Sequence, residues 1–343
     1  MALLERVSSS DISVVIQGPS LHNEGNGSQL EACVDSIRRV LPQAEIILST
    51  WRGQSYAPDI VDRVVFSEDP GSTENWLGQP WNFNRMVIST RNGLEKASRP
   101  YTLKFRADLR LSSAELFVRP QSIERDVDAR FKIFRHPVVI TNIFARNPAS
   151  CSPLLFHPSD IVQFGLTEDL ADLWNRRLFN RSELCSGLSL GRCVGFLGYT
   201  GLRMVPEQAL MTEWLNSNGY DVMLPYPGFV SRHYCELSER LLSTNFFLVD
   251  WKISGIEFPR RFLLDRKLEK TIYDADHGNS LAGIYSNKES CDERIRIILW
   301  NAYFYRFFSL SFWIDLLSTP LVIVSPSIFF KARDMWRNLR WKS

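Results

Sequence analysis

The sequence predicts an α/β protein with a nucleotide-binding half at its N-terminal end, and three features carry that expectation. Short runs of β-branched residues alternate with segments whose apolar residues fall at helical spacing. Each run ends in a polar loop. A lone carboxylate, Asp108, stands at the tip of the fourth run, where open α/β sheets bind their ligands.

The elements follow in order. Ile12-Ser13-Val14-Val15-Ile16 reads as a buried strand, broken at once by Gln17-Gly18-Pro19. From Gln29 to Leu41 the apolar residues Leu30, Cys33, Val34, Ile37, Val40 and Leu41 mark a helix, which Pro42 stops. Glu45 to Leu48 gives a second strand ending in Ser49-Thr50-Trp51, which completes a βαβ unit with parallel strands. Arg63 to Phe66 gives a third strand, and the stretch from Gly71 to Trp81 reads as a surface loop. Phe83, Met86, Val87, Thr90, Leu94 and Ala97 line a helix over 82–97, and Tyr101 to Phe105 forms the fourth strand, ending in Arg106-Ala107-Asp108.

The second half is less regular. Lys132-Ile133-Phe134, Val138-Val139-Ile140, Leu154 to His157 and Tyr220 to Leu224 read as strands. Val162, Leu166, Leu170 and Leu173-Trp174 predict a helix over 160–174, and Pro206 opens a helix from Glu207 to Asn216. This gives a domain over 10–290, divided into a nucleotide-binding half (10–120) and an acceptor half (121–290), with a C-terminal extension over 291–343. In the extension an aromatic and aliphatic run, Ile297 to Phe330, precedes Lys331, Arg333, Arg337, Arg340 and Lys342 interleaved with Trp336 and Trp341. Arg306, Asp315, Pro320 and Pro326 interrupt the run, so an interfacial membrane contact fits better than a spanning helix. The alternative is a pair of apolar helices docked on the core.

With 40 basic against 38 acidic residues the charge balance excludes a protein whose main business is nucleic acid. The six cysteines lack CxxC spacing and no export signal precedes the first strand, so free thiols in the cytoplasm are expected.

The chemistry gathers at strand ends. Nucleotide-sugar transferases of the GT-A type place a DxD motif at the end of such a fourth strand, where carboxylates hold a divalent cation, Mn²⁺ or Mg²⁺, against the departing diphosphate. Here Asp108 alone remains as a metal ligand and Arg106 stands where the first carboxylate would be; a plain surface ion pair is the alternative. Glu207, Asp160 and Asp169 are candidate catalytic carboxylates, although an acid in a helix's first turn, as at Glu207, is also what helix electrostatics favours. His157 and His233 are weaker candidates for a downstream metal ligand.

Ile12-Ser13-Val14-Val15-Ile16-Gln17-Gly18-Pro19, Glu45 through Trp51, Asn84-Arg85-Met86-Val87-Ile88-Ser89-Thr90 with Asn92-Gly93-Leu94, and Lys104-Phe105-Arg106-Ala107-Asp108-Leu109 together resemble the WavE lipopolysaccharide-synthesis family of bacteria. Asp160 with Phe164-Gly165, Asp169-Leu170 with Leu173-Trp174, Pro206-Glu207-Gln208 and Asn245-Phe246 extend the resemblance over roughly residues 10 to 265. It implies a GT-A-like glycosyltransferase of lipopolysaccharide-core or surface-polysaccharide assembly, taking a nucleotide-sugar donor and a glycan or lipid-linked acceptor at the cytoplasmic face of the inner membrane. Under it Gln17, Gly18 and Pro19 would lie along the nucleoside, and Ser49, Thr50 and Trp51 would contact the base or ribose. Asn84 and Arg85 would lie near the diphosphate with Arg106 and Asp108. Helix capping remains open for Asn84, and core packing for Trp51. A nucleotidyltransferase and a non-catalytic glycan-binding or scaffold subunit are the alternatives. The first lacks a basic residue in Gln17-Gly18-Pro19-Ser20; the second is kept alive by the degenerate Arg106-Ala107-Asp108.

Overall fold

The structure is a computed structural model that describes residues 5–20, 29–57, 59–75, 80–123, 127–150, 153–185, 202–264, 268–308, 310–325, 327–328, 331 and 335. Its elements are β1 (Ile12–Gln17), α1 (Gln29–Val40), β2 (Glu45–Trp51), β3 (Arg63–Ser67), β4 (Thr73–Glu74), β5 (Pro80–Trp81), α2 (Phe83–Leu94), β6 (Tyr101–Arg106), β7 (Arg110–Leu111), β8 (Val138–Thr141), β9 (Gln163–Leu166), α3 (Thr167–Trp174), α4 (Arg181–Leu184), α5 (Pro206–Ser217), α6 (Arg232–Asn245), β10 (Phe246–Val249), β11 (Ile256–Glu257), α7 (Leu268–Thr271), α8 (Ala275–Ser286), α9 (Lys288–Tyr303) and α10 (Leu310–Val324).

A seven-stranded sheet in the order β10-β8-β9-β6-β1-β2-β3 forms the centre. Its strands run parallel except β9, which is antiparallel to both β6 and β8. Because β1 and β2 are buried on both faces, their side chains divide between two layers. Val14, Ile16, Ile46, Leu48, Leu103 and Phe105 pack with Leu30, Cys33, Val34 and Ile37 of α1. Val15 and Ile47 face the other way, onto Phe83, Val87 and Leu94 of α2. Gly93 permits that approach, since a Cβ there would lie 2.4 Å from the Val15 side chain. This mostly parallel seven-stranded sheet flanked by helices is the expected α/β architecture and is consistent with a nucleotide-sugar-transferase-like fold.

Several expectations need correction. The segment 160–174 is not one helix: Gln163–Leu166 is the antiparallel strand β9, and helix begins only at Thr167. Its apolar residues fit helical spacing, but the gap between β6 and β8 selects a strand. Gly165 there lies close to β8, a Cβ being 3.2 Å from the Val138 side chain. Residues 132–134, 154–157 and 220–224 are irregular, since they run outside the sheet and bond through turns and side chains. The loop over 71–81 contains the small β4–β5 ladder, and α2 ends at Leu94.

The boundary at 290 also moves, because it falls inside α9. Cys291, Ile295, Ile298 and Ala302 of that helix are buried in the main core, so the packed body continues to Tyr303. Beyond it, the turn Tyr305–Phe308 and α10 leave Phe304, Phe307, Phe308, Trp313 and Leu317 exposed. Pro320 lies inside α10, and among the described residues no helix is long and apolar enough to cross a membrane. Of the basic run after Phe330 only Lys331 is described. Cys33, Cys185, Cys235 and Cys291 are free and buried; Cys151 and Cys193 lie outside the described residues.

Candidate functional site

The carboxyl ends of β1, β2, β3 and β6 lie along one edge of the sheet. Gln17 is in register with both Ser49 and Arg106, and Trp51 with Ser67. The chain moves outward from β1 through β2 to β3, then returns to β6 on the other side of β1. The strand order therefore reverses between Gln17 and Arg106, the position at which such sheets open a crevice for ligands.

On the β1–β2 side, Gly18 adopts φ of 104°, conformation that glycine accepts without strain, and its N–H donates to the Ser49 carbonyl at 3.0 Å. Gln17 Oε1 accepts from Ser89 Oγ at 2.9 Å, and Pro19 is exposed. The hydroxyls of Ser49 and Thr50 are buried and make no hydrogen bond among the described residues. Trp51 is only 7% exposed, which favours packing over an open stacking platform. Asn84 and Arg85 are engaged elsewhere. The Asn84 amide clips the backbone of Phe179 through two hydrogen bonds of 2.9 and 3.0 Å. Arg85 grips Asp69 with bonds of 2.7 and 2.6 Å, and both carboxylate and guanidinium are held charged by the contact.

At the tip of β6, Arg106 Nε and Nη2 donate to the two oxygens of Asp108 at 2.9 and 3.1 Å. Arg261, distant in sequence, donates to the same carboxylate. Burial alone would raise the Asp108 pKa, but the Arg106 hydrogen bonds and the charges of Arg106 and Arg261 hold it below the ordinary carboxylate range.

A second group of charges lies on the same edge. Lys104 is fully buried, with its ammonium donating to the Asp160 carbonyl, 3.9 Å from Asp160 Oδ2 and 4.6 Å from the centre of the Trp174 ring. Burial, only partly offset by Asp160, pushes its amine down to about 8. Asp160 is carried here because its segment enters β9, whose first residue Gln163 pairs with Lys104. Burial raises its pKa, and its Oδ1 makes no hydrogen bond among the described residues. His157 Nε2 lies 3.4 Å from Glu207 Oε2. Burial, reinforced by the Arg146 charge, pushes His157 down to about 3, so the imidazole is neutral at ordinary pH. Burial raises Glu207, against the pull of Arg146 and Lys104.

The N-terminus of α5 is fixed here by Gln208. Its Nε2 donates to the carbonyls of Leu155 and Pro227, both at 2.9 Å, tying Glu207 to the His157 segment. The Glu207 side chain keeps about a fifth of its surface open, whereas that of Asp160 keeps 9%. Glu207 and Asp160 thus share one electrostatic cluster. Asp169 does not join them: it accepts from the backbone N–H groups of Arg135 and His136 at 3.0 and 3.2 Å, organising the turn before β8. His233 is exposed beside Tyr234, away from these charges. Among the described residues no three His, Cys, Asp or Glu side chains are placed to hold a metal ion.

Lys104, Arg146 and Arg261 had not been singled out in the sequence. Lys104 did leave a signal, a charge at an inward position of an apolar strand. Arg261 left none, because its contact spans 153 residues.

Comparison with known proteins supplies the lineage. Among solved structures, the chain is similar to 4-diphosphocytidyl-2C-methyl-D-erythritol synthase from Anaerococcus prevotii. Identity is 16%, the TM-score is 0.29, and the match covers 51% of this chain and 83% of that one. At that score the likeness carries no argument about the reaction. A search of curated proteins found no significant match. A profile described as WavE lipopolysaccharide synthesis matches residues 12–312. With nearly the whole packed body inside that match, the chain belongs to the WavE lipopolysaccharide synthesis family.

Proposed function

We propose that this protein is a glycosyltransferase that moves a sugar from a nucleotide-sugar donor to a lipopolysaccharide-core or surface-polysaccharide acceptor. The observation that carries the reading is the pairing of two chemistries on one sheet edge: the partly exposed Arg106 and exposed Arg261 guanidinium groups beside the β1/β6 switch point, and the Glu207 carboxylate, about a fifth open, of a buried charge cluster. Family membership places the chain in lipopolysaccharide synthesis.

In this reading Gln17, Gly18 and Pro19 line the nucleoside, whereas Ser49 and Thr50, fully buried, take no part in contacting the base or ribose. Glu207 takes the proton from the acceptor hydroxyl as its oxygen attacks the anomeric carbon. The bond from that carbon to the diphosphate breaks, and the electron pair leaves on the phosphate oxygen. Burial holds Glu207 in an environment where a carboxylate is a stronger base than in water. Thermal-shift titration with a panel of nucleotide sugars and their nucleoside diphosphates tests the donor half. At least one should raise the melting temperature, with added stability that grows logarithmically with ligand concentration and reaches about 3 kcal/mol at a hundredfold excess over Kd. No shift with any member would favour the non-catalytic scaffold reading, for which the engaged Asp108 carboxylate is the supporting observation.

We place the protein at the cytoplasmic face of the membrane as a peripheral protein, on the exposed aromatic surface after α9. Phe308 is 80% exposed and Leu317 77%, and Trp313 lies between them in sequence with a basic run following. Flotation with vesicles containing anionic lipid should carry the wild type, and Phe308→Glu with Leu317→Glu should reduce the bound fraction several-fold. Equal flotation of both would contradict the placement.

A further inference from the structure

A divalent cation at Asp108 was the expectation from sequence, and the residues present do not suit one. Mg²⁺ and Mn²⁺ favour several oxygen ligands, with carboxylates foremost. Here a single carboxylate, 3% exposed, has both oxygens engaged by guanidinium groups. With Arg106 and Arg261 positive and Asp108 negative, the group carries a net charge of +1, which repels a cation and attracts an anion.

The construction around this charge looks built for an anion. The short antiparallel ladder of β7 and β11, with Ser112 N–H donating to Gly255 O at 2.7 Å, brings the 260–262 turn against the tip of β6. Only glycine fits at 255, where φ is 74° and a Cβ would lie within 2.6 Å of the Ser113 backbone. Both guanidinium groups then lie on the Phe262 ring, 5.4 Å from its centre for Arg106 and 5.2 Å for Arg261. Phe262 is itself braced edge-on by Phe144. The carboxylate is hidden, while the Arg106 side chain is 30% exposed and that of Arg261 57%. Solvent at the switch point therefore meets fixed cations.

Resting on the nucleotide-sugar reading above, we infer that Arg106 and Arg261, positioned by Asp108 and Phe262, are the diphosphate-binding group, and that donor binding needs no divalent cation. The guanidinium N–H groups left free by Asp108 donate to the phosphate oxygens and neutralise the charge that develops when the anomeric C–O bond breaks. Asp108 acts as a positioning residue that fixes the arginines.

Calorimetric titration of the full chain with uridine, guanosine, cytidine, thymidine and adenosine diphosphates, each in EDTA and in Mn²⁺ or Mg²⁺, tests this. The best ligand should bind with a Kd that changes less than about threefold between the two conditions. Arg261→Met, at an exposed position, should weaken it by about 10- to 100-fold with the circular dichroism unchanged. Arg261→Lys should recover only part, because an ammonium lacks the planar fork. Binding abolished by EDTA and restored by metal, or an unchanged Kd in Arg261→Met, would overturn the inference and leave the nucleotide-sugar reading standing. If no diphosphate binds in any condition, that reading fails and the inference falls with it.

Discussion

Replacing Arg294 by methionine is expected to cost about 3–5 kcal/mol of folding stability, the range for stripping a buried charge of its partner. Glu239 on α6 is fully buried and accepts four hydrogen bonds. Two come from Arg294 on α9, at 3.0 and 2.6 Å, and one each from the hydroxyls of Tyr273 and Tyr285, both at 2.6 Å. Arg294 also reaches Asn147 at 2.8 Å. The network thus pins α8 and α9 to α6 beside the last strand of the sheet. Without the guanidinium, the carboxylate is left buried against two phenols. Glu239→Gln in the same chain should recover part of the loss, because it removes the stranded charge. Urea denaturation gives the measurement: a midpoint shift corresponding to less than about 1 kcal/mol in Arg294→Met would show that the pair contributes little. The same network predicts that truncation at 290 destroys the fold and does not trim an accessory tail.

Glu207→Gln is expected to lower kcat by about 10²- to 10⁴-fold, the usual range for loss of a general base, with donor Kd little changed. Glutamine keeps the size of the side chain and its place in the first turn of α5, so the fold should survive. The pH dependence follows from burial. A carboxyl whose pKa is raised stays protonated to higher pH than an ordinary glutamate, and the base form is lost as pH falls through that raised value. The acid limb of the wild-type pH–rate profile should therefore lie above the ordinary glutamate range, and Glu207→Gln should abolish that limb. Asp169→Asn should leave kcat intact, since that carboxylate serves the backbone of Arg135 and His136. Loss of activity in Asp169→Asn with Glu207→Gln unaffected would reverse the assignment.

The nucleotide-binding half was legible because its signals are local. Ile12 to Ile16 and Glu45 to Leu48 are buried on both faces and are cut off by Gly, Pro or polar loops, so pattern and structure agree on where both strands begin, and the strands run one and three residues further, to Gln17 and Trp51. The acceptor half depends on partners distant in sequence. Gln163–Leu166 reads as the first turn of a helix until β6 and β8 stand on either side of it. Asn245 shows the same limit: its amide accepts from the N–H groups of Ile133 and Phe134, holding by side chain a segment that looked like a strand. Glu207 and Asp160 were legible as acids in suggestive places, but their meeting, and the Lys104 and Arg146 charges and neutral His157 around them, are products of folding. Arg106-Ala107-Asp108 was found by position, whereas its nature changed with Arg261. A degenerate metal motif became a paired guanidinium site.

The account stands or falls on sugar transfer. Mass spectrometry of a lipopolysaccharide-core oligosaccharide, incubated with the protein and the nucleotide sugar that binds best, measures it directly. The expected result is a mass increase of one sugar residue, matched by released nucleoside diphosphate, with wild type and not with Glu207→Gln. An equal increase with Glu207→Gln, or no increase from the wild type across every donor and core acceptor, would contradict the central claim.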